Sequence, residues 1–148
     1  PSDLAGALRG RHNIYTHLEA MVKEAEKSVV IMTSSKGVMR KIEALKPEFN
    51  RLKKKGVEIR IAAPVTKDAE KSIKGVSKVA EVRHTTEVKS RFCIVDNKDL
   101  MFMVMNDEEV HPTYDVGVWV QTPYFASAMQ GMFDKSWNNM KPASSILN

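Results

Sequence analysis

Phe92-Cys93-Ile94-Val95 is a run of four apolar residues with no polar residue alternating between them. A strand built from it must be covered on both faces, so it belongs in the middle of a sheet with a layer packed on each side. Asp96-Asn97-Lys98-Asp99 follows with the composition of a turn, and Leu100 to Met105 reads as the strand that returns beside the first. The stretch from Lys89 to Asn106 is therefore a core hairpin with a polar rim.

The rest of the chain supplies the cover. Ile14, Leu18, Met21, Val22 and Ala25 form one apolar stripe on a helix that begins near His12 or Asn13 and runs to about Lys27. Val29 to Met32 is a short β-branched strand ending at Thr33-Ser34-Ser35, a cluster suited to capping a helix. Val38, Ile42, Leu45, Phe49 and Leu52 then mark a helix from about Lys36 to Lys55, stopped by Gly56, with Pro47 expected to kink or split it. Val57 to Ala63 alternates as a strand, and strand, helix, strand is a βαβ unit with parallel neighbours and a right-handed crossover.

Residues 66–78 are Lys-rich and read as a short surface helix and loop, and Val79 to Arg83 as an edge strand. Tyr114, Val116, Val118 and Val120 alternate with Asp115, Gly117, Trp119 and Gln121, which makes another strand and puts Trp119 on the face opposite the valines. Thr122-Pro123 opens a long C-terminal helix to about Met140, whose apolar face is broad enough to cover a sheet or a twin subunit. Residues 1–11 read as a linker and 142–148 as a frayed tail, leaving one domain over 12–141. The fold class is α/β: a layered sandwich with a mixed β-sheet flanked by helices.

Composition narrows the function. No apolar run is long enough to span a bilayer, and the N-terminal stretch lacks a secretory h-region. Cys93 lies inside the apolar strand and reads as a small core residue. The four histidines have no metal-ligand spacing, so neither a metal nor a cofactor is expected. A net charge of +5, from 23 basic and 18 acidic residues, favours anionic partners without a recognition element for nucleic acid.

Two places could hold an anion. Lys89 and Arg91 are two residues apart on one strand face, with Asn106 able to join them, and Arg91 can fork onto a phosphate or carboxylate. Thr33, Ser34 and Ser35 stand where a strand meets a helix N-terminus. Trp119, Tyr124 and Trp137 are candidates for a subunit interface, with core packing the simpler reading of Trp137.

Lys89-x-Arg91, four residues, Asp96 and later Asn106 resemble the HxKxxxxD…GSxN signature of the phospholipase D superfamily, with Lys89 at the histidine position, Arg91 at the lysine position and Met103-Val104 where the Gly-Ser pair would stand. The wider layout, HLEAMVKEAEKSVVIMTS, RLKKKGVEIRIAAP, RFCIVDNKDLMFMV and FDKSWNNM, resembles the effector domain of the archaeal TrmB-like transcription regulators. That resemblance implies a phospholipase D-like fold, a winged-helix DNA-binding domain preceding residue 1, a homodimer, a cytoplasmic location and a small-molecule or anionic effector. It also implies no catalysis, because a protonated lysine cannot replace the nucleophilic histidine. An altered phosphodiesterase and a purely structural oligomerisation domain are the alternatives.

Overall fold

The computed structural model describes residues 4–86 and 90–147. It contains strands β1 (Ala5–Arg9), β2 (Ser28–Met32), β3 (Glu58–Ala63), β4 (Glu81–His84), β5 (Arg91–Val95), β6 (Asp99–Met103), β7 (Val116–Gln121) and β8 (Lys141–Pro142). Its helices are α1 (Arg11–Lys23), α2 (Ser35–Lys54), α3 (Glu70–Val76), α4 (Pro123–Trp137) and α5 (Ala143–Ile146). All eight strands form one mixed sheet in the order β1-β7-β6-β5-β2-β3-β4-β8. β2, β3 and β4 run parallel, and β5 lies antiparallel to β2 at the centre.

Every residue of β5 is buried, as its unbroken apolar composition requires. Cys93 and Val95 face a core shared with Ile14, Leu18, Ile42 and Leu45 of α1 and α2. Phe92 and Ile94 face a second core closed by Ala126, Phe133 and Trp137 of α4. The sheet is thus the middle of three layers.

The β5–β6 hairpin turns through two consecutive residues with positive φ, Asp96 at 55° and Asn97 at 58°, and closes with Lys98 N–H donating to the Val95 carbonyl at 3.1 Å. Asp and Asn tolerate that left-handed conformation better than other residues with a Cβ. The Asp96 carboxylate then accepts from the backbone N–H groups of Glu26, Lys27 and Ser28 at 2.7–3.1 Å. These bonds bind the hairpin tip to the loop entering β2, and they explain why α1 stops at Lys23 and not near Lys27.

Several boundaries differ from the sequence reading. Residues 5–9 are a strand paired with β7, not a linker. Their small residues escape notice because Gly6 lies opposite Trp119, where a Cβ would come within 2.7 Å of the indole. The tail is also ordered: β8 pairs with β4, which is therefore not an edge, and Ala143 of α5 is buried. Residues 66–78 are more than surface, since Ala69, Ile73 and Val76 enter the core. Pro47 leaves α2 unbroken; the carbonyl it deprives of a partner belongs to Glu43, on the exposed side.

Replacing Asp96 by Ala should lower stability by about 2–3 kcal/mol, because a charged acceptor of three backbone donors is lost. Urea unfolding of Asp96→Ala and Asp96→Asn measures this. The Asn variant should retain part of the stability, and a loss below ~0.5 kcal/mol for Ala would contradict the tether.

Candidate functional site

β2 and β3 end, β5 begins and β6 ends at the same side of the sheet, because β5 is antiparallel to β2 and β6 to β5. There a cavity of about 550 Å³ is lined by Ser34, Ser35, Pro64, Thr86, Ser90, Arg91 and the 103–108 segment. Four of the residues singled out in the sequence, Ser34, Ser35, Arg91 and Asn106, meet on its wall. Lys89 lies outside the described residues.

The position of each group follows from local structure. Ser34 is the N-cap of α2, accepting from Gly37 N–H at 3.0 Å, while its hydroxyl donates to Asp107 Oδ2 at 2.5 Å. Asn106 accepts from Glu108 N–H through its side-chain oxygen at 3.0 Å, a turn typical of Asn. Thr33 turns away from the cavity. It is fully buried and accepts from Lys41 Nζ at 2.9 Å. Gly37 leaves the room for this pair, since a Cβ there would collide with the Thr33 hydroxyl.

Arg91 does not project as a free arm from the strand. It is 6% exposed, and its Nη2 donates to the Met105 carbonyl at 2.6 Å and to Asp115 Oδ1 at 3.2 Å. Its Nε lies 3.8 Å from Asp107 Oδ1. Asp107 also binds Arg40 at 2.6 Å, and Asp115 binds Arg11 at 3.3 Å. Among the described residues, three guanidiniums and the Lys41 ammonium thus gather around two carboxylates. Tyr15 lies against the same group, with the Lys41 ammonium 5.6 Å from its ring centre.

This crowding shows in the titration of its members. Burial, with the nearby charges of Arg91 and Arg40, depresses the Lys41 pKa to about 7. Burial pushes Asp107 up, but the Ser34 hydroxyl, Arg91 and Arg40 outweigh it and hold its carboxyl below the usual range. Burial raises the Cys93 thiol to about 12, so it is a core side chain and not a nucleophile.

The sequence reading found the cavity wall but not Arg40, Lys41, Asp107 and Asp115 behind it. One signal was available: Lys41 falls three residues after Val38 and four before Leu45, on the apolar stripe of α2. His84 and His111 are structural. His84 Nδ1 accepts from Val65 N–H at 2.9 Å, and His111 caps the short turn at Pro112–Tyr114.

The aromatic candidates separate. Trp137 is 5% exposed, stacked on Phe133 and covered by the Arg83 guanidinium 4.4 Å from its ring, so it is core and not an outward-facing contact. Trp119 is half-buried, stacked on His17 with ring centres 5.3 Å apart. Tyr124 is 89% exposed on α4.

The family profile described as transcriptional regulator TrmB, EBD N-terminal subdomain, matches residues 7–142. The chain belongs to the TrmB family of transcriptional regulators. Among solved structures, this TrmB-family domain is similar to TrmBL2, an archaeal chromatin protein described as showing a novel mode of DNA binding, with a TM-score of 0.73 and 15% identity. That match covers 94% of this chain and 54% of TrmBL2, so the domain spans about half the length of that relative. It is also similar to Nuc, a phospholipase D family member from Salmonella typhimurium (TM-score 0.71, 16% identity, 93% of this chain and 97% of Nuc). NucT from Helicobacter pylori matches with a TM-score of 0.72 and 15% identity over 93% of this chain and 98% of its own. The TrmB-family domain therefore has the phospholipase D-like fold. No curated protein sequence matches the chain.

A lysine whose pKa falls from 10.5 to about 7 on folding makes stability pH-dependent in a defined direction. Between those values the unfolded chain binds a proton that the folded chain lacks, so this group's contribution to stability rises with pH across the window. Lys41→Met should raise the melting temperature most at pH 7 and below, with the advantage shrinking towards pH 10. Thermal melts of both proteins across that range check it, and a difference independent of pH would contradict the buried, depressed lysine.

Proposed function

We propose that this domain is the non-catalytic, effector-sensing and dimerising unit of a TrmB-like DNA-binding transcription regulator. The observation that carries the sensing role is the cavity at the strand ends, backed by three guanidiniums, those of Arg11, Arg40 and Arg91, against two carboxylates. Such a site favours a small anionic ligand, with Ser35 and Asn106 on the wall as hydrogen-bonding groups. DNA contact belongs to a winged-helix domain elsewhere in the full-length protein, a reading supported by family membership and by the description of TrmBL2. A cytoplasmic location accords with that role; among the described residues no helix is long and apolar enough to cross a membrane.

Catalysis of the phospholipase D type needs a histidine nucleophile, and the matching position is Lys89. Arg91, at the matching lysine position, is occupied by Asp115 and the Met105 carbonyl. Turnover of bis(p-nitrophenyl)phosphate should be undetectable, and turnover abolished by Lys89→Ala, His84→Ala or His111→Ala would establish the enzyme reading instead.

The dimer is supported by the outer face of α4, where Tyr124, Phe125 and Met132 are 89%, 44% and 66% exposed. Lys135 is the one charged residue among the exposed positions of that helix, so two copies of a +5 chain can meet there with little repulsion. Sedimentation should show a dimer that Met132→Lys dissociates without unfolding. Inorganic phosphate or sulfate should raise the melting temperature relative to chloride at matched ionic strength, and Asn106→Ala or Ser35→Ala should reduce that rise. A dimeric wild-type protein that responds to no anion would leave only the structural oligomerisation role.

A further inference from the structure

The cavity's strongest anion-binding groups already hold an anion, the chain's own Asp107. Its side chain is 3% exposed and is held by the Ser34 hydroxyl at 2.5 Å, Arg40 at 2.6 Å and the Arg91 guanidinium at 3.8 Å. The loop that carries it has little else to keep it in place. From Val104 to Tyr114 no residue is buried as a whole, and Val104, Met105 and Tyr114 are 56%, 43% and 64% exposed. Segments with few buried apolar contacts open at low free energy. The loop is tied at both ends, by Val104 N–H to the Val116 carbonyl and Arg91 to the Met105 carbonyl at one and by Gly10 N–H to the Asp115 carbonyl at the other, while the backbone bonds of Glu109, Val110 and Tyr114 stay within it, so the part carrying Asp107 can swing while its roots stay fixed.

The charge arrangement points the same way. With Asp107 in place, three guanidiniums share two carboxylates among the described residues. A ligand bearing two negative charges would satisfy this group better than the single charge of Asp107, and it would enter through the cavity that Asp107 lines.

Resting on the anion-site reading given above, we propose that Asp107 is the resident occupant of the site, and that an anionic ligand binds by exchanging with it and releasing the 106–114 loop. Ligand binding would then be converted into a change at an exposed surface with apolar groups at its root, which a neighbouring domain or subunit can read.

The test uses inorganic phosphate, with sodium chloride at matched ionic strength as control, on the wild-type protein and on Asp107→Asn. Calorimetry should show the variant binding phosphate about tenfold more tightly or better, since a like charge competing for the same donors has been removed. Hydrogen exchange of the wild-type protein should show faster exchange over 106–114 when phosphate is bound. Wild-type binding that is equal to or tighter than that of Asp107→Asn would overturn the exchange while leaving the anion site standing. Binding by neither protein would overturn both. Should the variant fail to fold, hydrogen exchange of the wild-type protein decides: unchanged or slower exchange over 106–114 on phosphate binding overturns the proposal.

Discussion

The guanidinium of Arg91 organises the cavity end of this domain. It sits at the first residue of a wholly buried strand, where a lone charge would be costly, and it is tolerated because Asp115, Asp107 and the Met105 carbonyl surround it. Those partners come from the 104–115 connection between β6 and β7. The same ion pairs therefore fix how the sheet continues from the central hairpin to β7 and how the cavity wall is formed. Arg11 and Arg40 extend the group to α1 and α2, so both helices are bound to the site through charge as well as through the apolar core.

The apolar architecture was readable because it obeys simple periods. Phe92 to Val95 announced a strand covered on both faces, and the two cores meet on its alternate residues. The stripe of α2, the cap at Ser34 and the opposition of Trp119 to the valines of β7 likewise follow from spacing alone. β1 and β8 were hidden for a different reason. Their sequences, AGALR and KP, carry no alternating apolar pattern, and they are strands because a partner is present, Trp119 over Gly6 and the backbone of β4 beside Pro142, so tertiary pairing and not local propensity decides them.

The site was legible only on its surface. Arg91 with Asn106, and Ser34 with Ser35, could be read as two separate anion sites, and it is the fold that joins them on one wall where strand ends and a helix cap converge. The charges behind them could not, since no local rule links Arg40 or Asp107 to Arg91 across the sequence. Lys41 is the exception, a charged residue on an apolar stripe. Of the residues singled out around the hairpin, Asp96 holds backbone N–H groups and Arg91 holds a loop.

The central claim is that Arg91 and Asp115 stabilise one another inside the protein and are not two independent surface charges. A double-mutant cycle of Arg91→Met and Asp115→Asn, read by urea unfolding, tests it most directly. Each single change should strand a buried group, and the pair together should recover a coupling energy of roughly 2–3 kcal/mol. Additivity within ~0.5 kcal/mol would contradict the account.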